Sequence, residues 1–101
     1  MLVRDRINIE DEALAAICRQ YHVRELALFG SVLRDDFHAA SDIDVLVDFE
    51  PDALIGFFEL ARLQRALAAL FGRNVDVIPK EGLNPVIRQP VLESAQIIYA
   101  L

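Results

Sequence analysis

The chain has 101 residues, 54% of them hydrophobic, and its 10 lysine and arginine residues face 16 aspartate and glutamate residues, for a net charge of −6. This length allows one small domain with a single core, and the hydrophobic content excludes a disordered chain. The acidic balance argues against direct, nonspecific binding to nucleic acid, which needs a basic face to displace counterions.

The same sequence predicts one domain over residues 1–101, located in the cytoplasm and not in a membrane. No apolar run approaches the ~18 residues of a transmembrane helix. The N-terminal residues become charged at once and lack the apolar core of a signal peptide. The one cysteine, Cys18, excludes an internal disulfide and suits a reducing compartment, and its place in an apolar stripe indicates a buried, inert thiol.

The first two predicted elements are a helix and a strand. A helix is expected over residues 9–21, with Asn8 or Asp11 as its N-cap, because apolar residues recur there at helical spacing. A strand is expected over residues 24–30, where Gly30 ends it. Both faces of this strand are apolar, which is typical of a central strand.

The middle of the chain predicts a short helix, a strand and a long helix. Residues 31–36 are expected to begin a short helix with Ser31 as its N-cap. The β-branched and apolar residues 43–49 predict a second strand. Residues 55–71 carry the strongest apolar stripe of the chain and predict a helix that Gly72 stops.

The last third predicts a strand over residues 74–78, a short helical stretch over 85–93 and an edge strand over 96–101. Pro90 is expected to break or restart the helical stretch. Together these elements predict an α/β (α+β) fold: a small mixed sheet of three to four strands with helices packed mainly on one face.

Three carboxylates in this pattern suggest a metal site. Residues i and i+2 of a strand point to the same face ~6.5 Å apart, so Asp42 and Asp44 project together while Ile43 turns into the core. Two such carboxylates repel one another unless a divalent cation lies between them, and hard oxygen ligands suit Mg²⁺ or Mn²⁺. Asp76, out of phase with the core residues of the next strand, is the expected third acid, and three acids can hold two ions.

The turn after the first strand supplies a phosphate site. Gly30 lets the backbone approach a phosphate closely, and the hydroxyl of Ser31 can add a hydrogen bond. Arg34, about one turn further on, could reach a phosphate as a charged fork.

Each feature alone also has an ordinary structural explanation. A Gly-Ser turn is common, an Asp-x-Asp pair is often a solvated strand end, and Asp76 could simply face water. Arg34 could be a surface arginine paired with Asp35 or Asp36. The functional interpretation depends on the order in which these features occur together along the chain.

That order resembles a known signature. Gly30-Ser31, ten intervening residues and Asp42-Ile43-Asp44, followed by an apolar run, look like the motif of the DNA polymerase β-type nucleotidyltransferase superfamily. The residues in and around this motif are most similar to those of the minimal nucleotidyltransferases (MNT), the antitoxin-like partners of HEPN proteins. The resemblance implies a polymerase β-like core, with Asp42, Asp44 and Asp76 as catalytic metal ligands.

The same resemblance assigns Gly30 and Ser31 to the triphosphate of the nucleotide. Members of the family often read Gly-Ser-x-Ala-Arg-Gly at this turn, so this chain departs from the pattern at Leu33 and Asp35. Asp35 adds a negative charge near the expected triphosphate. The three acids are intact, which argues against a decayed enzyme.

The function implied by the resemblance is that of a type VII-like antitoxin. It would be a Mg²⁺-dependent nucleotidyltransferase, with two ions expected, that transfers AMP from ATP to a tyrosine of a HEPN toxin and so silences its RNase. The chain has no room for an acceptor-binding domain, so a hetero-oligomer with the toxin would complete the site. Two alternatives stay open: an antitoxin that neutralises by binding alone, and a small-molecule nucleotidyltransferase. The apolar Phe57-Phe58 pair favours self-association or partner contact.

Overall fold

A computed structural model describes all of residues 1–101, and it contains three α-helices and a four-stranded mixed sheet after a short N-terminal hairpin. The elements are β1 Leu2–Val3, β2 Ile7–Asn8, α1 Asp11–Gln20, β3 Val23–Phe29, β4 Ile43–Phe49, α2 Phe57–Phe71, β5 Val75–Pro79, α3 Pro85–Ser94 and β6 Gln96–Ala100. None of the helices is long and apolar enough to cross a membrane. The predicted fold class is confirmed.

The sheet has the strand order β5-β4-β3-β6, which the sequence did not predict. β3 is antiparallel to both β4 and β6, whereas β4 and β5 are parallel and are joined through α2. β4 therefore lies inside the sheet, and both of its edges are paired. A strand in this position must be apolar over most of its length, and Ile43, Val45 and Val47 are buried to 1% exposure or less.

The two faces of the sheet are covered unequally. The main core of 17 buried residues packs one face against α1 and α2, through residues such as Leu14, Leu63 and Leu67. A smaller cluster, Ala27, Leu46 and Leu83, lies on the other face under α3. Two of the three helices thus share one face, and the other face is covered only in part.

Several local features differ from the sequence predictions. The N-cap of α1 is Glu10 and not Asn8 or Asp11, because the Glu10 carboxylate accepts hydrogen bonds from the backbone N–H groups of Glu12 and Ala13 at 3.1 and 2.8 Å. The short helix expected over residues 31–36 is a single 3-10 turn, Gly30–Leu33.

The C-terminal helix is continuous, so the break expected at Pro90 is wrong. α3 runs from Pro85 to Ser94 with Pro90 inside it. A proline removes the N–H group that would bond to the carbonyl four residues earlier. That carbonyl belongs to Val86, which is 84% exposed, so water can satisfy it.

Other local predictions are confirmed. Gly72 ends α2 in the left-handed conformation, with φ +69, and its N–H donates to the carbonyl of Ala68. Cys18 is fully buried and free of any disulfide, and burial raises its pKa to about 12. The C-terminal strand β6 lies at an edge of the sheet, as expected.

Candidate active site

Two of the predicted acids lie opposite each other on neighbouring strands. Asp44 is the second residue of β4 and Asp76 the second residue of β5, and the parallel register pairs them directly. Opposed residues of adjacent strands lie ~5 Å apart and point to the same face of the sheet. Asp42 stands immediately before β4, where it is exposed like Asp76, whereas Asp44 is half-buried. The tertiary structure thus brings together carboxylates that are more than thirty positions apart in the sequence.

The electrostatics of this group centre on Asp44. Burial raises the pKa of Asp44, and the negative charges of Asp76 and then Asp42 raise it further, while Arg34 lowers it. A carboxylate surrounded in this way is unfavourable as an isolated anion. The arrangement therefore favours a positive charge among the three acids.

The glycine of the predicted phosphate turn packs directly on one of these acids. Gly30 adopts the left-handed conformation, with φ +76. A Cβ atom added there would collide with Oδ2 of Asp44 and lie 3.2 Å from its Cγ. Only glycine fits both the backbone angle and the space, so the turn and the acidic group form one continuous site.

The serine of the turn is joined to the acid-bearing loop. The hydroxyl of Ser31 donates to the backbone carbonyl of Asp42 at 3.4 Å. Within the turn, the N–H of Arg34 donates to the carbonyl of Ser31 at 2.9 Å, and the side chain of Val32 is fully buried. The turn is therefore anchored to the core on one side and to the residues of the acidic group on the other.

Arg34 lies near the acids but contacts a different partner. Its Nε donates to Oδ1 of Asp36 at 3.1 Å, and this hydrogen bond lowers the pKa of Asp36. Both side chains are mostly exposed, so the ion pair is weak and Arg34 can leave Asp36 to bind another anion. The neighbouring Asp35, which departs from the family pattern, is paired with Arg6 at 3.5 Å.

Two arginines that sequence reasoning missed hold the turn and the loop that connects it to β4. Nη1 of Arg6, from the N-terminal hairpin, donates to the carbonyl of Val32 at 2.8 Å and to that of Arg34. Nη1 of Arg73 donates to the carbonyls of His38 and Ser41. No sequence signal could have identified them, because their acceptors are main-chain carbonyls that every residue possesses.

The carboxylates do not form a closed metal cage. No group of three or more histidine, cysteine, aspartate or glutamate side chains is close enough together to hold a metal ion by itself. An open cavity of about 370 Å³ adjoins Asp42 and Asp76 and is bordered by Asn74 and by Gln64 and Arg65 of α2. A larger cavity of about 460 Å³ lies elsewhere, near Phe49 and Phe57. The geometry is that of an open carboxylate site beside a phosphate-sized turn.

Comparison with known proteins assigns the chain to a family. Residues 10–98 match the family model of the nucleotidyltransferase domain. The chain is 38% identical over 81 residues to the protein adenylyltransferase MntA of Thermococcus cleftensis, an alignment that covers 79% of this chain and 77% of that protein. The chain therefore belongs to the nucleotidyltransferase domain family, and it is a nucleotidyltransferase.

Solved structures agree with this assignment. A structure provisionally described as a minimal nucleotidyltransferase has 36% sequence identity and a TM-score of 0.69, over 84% of this chain and 85% of that one. A complex of the tri-AMPylated HEPN toxin of Shewanella oneidensis with an MNT antitoxin shares the fold, with a TM-score of 0.64 at 18% identity, over 90% of this chain and 70% of that chain. The expected resemblance to minimal nucleotidyltransferases is confirmed.

Proposed function

We propose that the protein is a Mg²⁺-dependent antitoxin that transfers AMP from ATP to a tyrosine of a HEPN toxin and thereby silences the toxin's RNase. The observation that carries this proposal is the direct pairing of Asp44 with Asp76 beside Gly30. The relative named as a protein adenylyltransferase and the solved complex with an AMPylated toxin support the reaction and the partner.

The donor set fits a divalent cation. Asp42, Asp44 and Asp76 offer only hard carboxylate oxygens, and their mutual repulsion around the half-buried Asp44 is relieved by positive charge. We assign Mg²⁺, in two ions, to these three residues. When bound, the cation would neutralise the negative charge that develops on the phosphates.

The chain's own residues account for binding and proton transfer. In the proposed reaction the tyrosine hydroxyl gives its proton to the carboxylate of Asp76, and its oxygen forms a bond to the α-phosphorus of ATP. The bond between the α-phosphorus and the bridging oxygen to the β-phosphate breaks, and pyrophosphate leaves with that electron pair. The backbone of Gly30, the hydroxyl of Ser31 and the guanidinium of Arg34 would hold the departing phosphates.

A protein partner is supported by the exposed apolar surface at the far end of β4. Leu54, Phe57 and Phe58 are 92%, 80% and 72% exposed. Covering apolar side chains of this size removes them from water, which favours association with a partner. We propose that the toxin covers this surface in a hetero-oligomer in the cytoplasm, a location that the buried and unpaired Cys18 also supports.

The intact mass of the toxin after incubation with the antitoxin, ATP and Mg²⁺ tests the proposal. Wild-type protein should add AMP, whereas an Asp42→Ala/Asp44→Ala double variant should not. Asp11→Ala is the matched control, since Asp11 is an exposed aspartate in the first turn of α1, outside the acidic group and the apolar surface, and it should leave transfer intact. EDTA should abolish transfer and excess Mg²⁺ should restore it.

Two results would contradict the proposal. If the wild-type and double-variant proteins both neutralise the toxin and neither adds mass, the protein acts by binding. If the wild-type protein adenylylates a soluble acceptor without the toxin, it is a small-molecule nucleotidyltransferase.

A further inference from the structure

The loop that leads into β4 is held by one side chain from the turn between α2 and β5. Nη1 of Arg73 donates to the carbonyl of His38 at 3.2 Å and to that of Ser41 at 3.1 Å. The loop also closes on itself, since the N–H of Ser41 donates to the carbonyl of His38 at 2.9 Å. Ser41 directly precedes Asp42, so Arg73 holds the main chain one residue before the first of the three acids.

The residue on the other side of Asp42 is tied to the same segment. The N–H of Ile43 donates to the carbonyl of Asn74, the neighbour of Arg73, at 3.0 Å. Asp42 is therefore bracketed: the residue before it and the residue after it are both hydrogen-bonded to residues 73–74. These are the residues that lead into β5 and Asp76.

An aromatic ring fixes the direction of the arginine. The guanidinium carbon of Arg73 lies 4.4 Å from the centroid of the Phe37 ring, within the range of a cation–π contact. Phe37 is partly buried against the main core. Because the ring is anchored in the core, it restricts the conformations of the Arg73 side chain. The two hydrogen bonds to carbonyls then cost less conformational entropy.

The side chain of Arg73 binds the main chain of the loop and not its carboxylates. Arg73 makes no ion pair, and the hydrogen bonds of its side chain go to main-chain carbonyls. We propose that Arg73 is a positioning residue that, with Phe37, holds the loop so that Asp42 is presented beside Asp44 and Asp76. This inference rests on the proposed function only in taking Asp42 as a catalytic carboxylate.

Steady-state kinetics of AMP transfer provide the first test. Arg73→Met keeps the length of the aliphatic side chain and removes the guanidinium. The loop should then misplace Asp42 by about 1 Å, which should lower kcat roughly 10- to 100-fold. The KM for ATP should change less than about threefold, because the phosphate turn keeps its hydrogen bonds from Arg6 and its buried Val32 even if the contact of Ser31 with Asp42 is disturbed. Arg19→Met is the matched control, since Arg19 is an exposed arginine of α1 that makes no ion pair, and it should match wild type.

Arg73→Lys separates geometry from charge. Lysine keeps the positive charge but lacks the planar guanidinium that lies over Phe37 and directs Nη1 toward the two carbonyls. The Arg73→Lys variant should therefore stay at least about fivefold below wild type in kcat. Full activity in Arg73→Lys, or in Arg73→Met, would overturn the inference.

Hydrogen exchange gives a readout that needs neither ATP nor metal. In Arg73→Met the amides of Ser41 and Ile43 should exchange at least about tenfold faster than in wild type, while core amides such as that of Leu67 stay unchanged. Phe37→Leu, which keeps an apolar side chain and removes the ring, should shift the same two amides in the same direction. Unchanged exchange in both variants would refute the role of Arg73, whereas a wild-type protein that transfers no AMP would refute the proposed function and leave this measurement valid.

Discussion

Replacing Gly30 by alanine should damage both the stability and the activity of the protein, for two separable reasons. With φ +76 at this position, any other residue adopts an unfavourable left-handed backbone, at a cost of about 1–2 kcal/mol. The new methyl group would also collide with the carboxylate of Asp44, and overpacking of this kind adds about 1–3 kcal/mol. We therefore expect Gly30→Ala to lower the free energy of unfolding by about 2–5 kcal/mol.

Gly72 provides an internal control for the backbone component. It has nearly the same conformation, with φ +69, but nothing lies within 4 Å of an added Cβ. Gly72→Ala should thus lower the free energy of unfolding by only about 1–2 kcal/mol. The difference between the two variants isolates the collision with Asp44, and in a domain of this size it corresponds to a melting temperature lower by at least about 4 °C.

Urea unfolding of four proteins would measure this: wild type, Gly30→Ala, Asp44→Ala and the double variant. In the Asp44→Ala background, Gly30→Ala should cost only the backbone component, because the colliding carboxylate is gone. AMP transfer should fall at least about 100-fold in Gly30→Ala and stay near wild type in Gly72→Ala. Equal destabilisation by Gly30→Ala in both backgrounds would refute the close packing of Gly30 on Asp44.

Three further predictions concern the charges, the core and the surface. Because the pKa of Asp44 is raised from its usual 3.8, its ionisation opposes folding, so the metal-free protein should lose stability as the pH rises from 3.8 through the raised value. Asp44→Asn should remove that loss and should be more stable than wild type at pH 7 in EDTA, although it should be inactive. The prediction would be contradicted if the urea midpoint changed between pH 4 and pH 7 by the same amount in both proteins. The thiol of Cys18, with a pKa of about 12 against a usual 9.0, should not react with iodoacetamide at pH 8 in the folded protein. Between pH 8 and pH 10 wild type should lose about 1.4 kcal/mol more stability than Cys18→Ala, and rapid native labelling would show that the thiol is accessible. Finally, Phe57→Ser/Phe58→Ser should weaken toxin binding at least about tenfold by calorimetry without lowering the melting temperature, and unchanged affinity would exclude this surface from the interface.

The elements that position the acids could be predicted because their signals are local. The predicted strand over residues 43–49 coincides with β4, since a run of β-branched and apolar residues is a local signal of a buried strand. The left-handed stop at Gly72 is likewise a property of one residue. That Asp42, Asp44 and Asp76 bind the cation stays a prediction, which the variants above test.

Other features depend on partners far away in the chain, and no local pattern encodes them. The strands β1 and β2 have two residues each, too few to show any periodicity, although Val3 and Ile7 are part of the main core. The continuation of α3 through Pro90 depends on the exposure of the carbonyl that loses its partner.

The sequence by itself determined which residues could carry the chemistry: a glycine-serine turn after one strand, a pair of aspartates at the start of the next, and an aspartate out of phase with the core in a third. Only the tertiary structure decided that Asp76 lies opposite Asp44, that Gly30 packs on that carboxylate, and that Arg73 holds the loop before Asp42. The physical reason is that strand register and hydrogen bonds to carbonyls involve the main chain, which is the same at every position, whereas a sequence records only side chains.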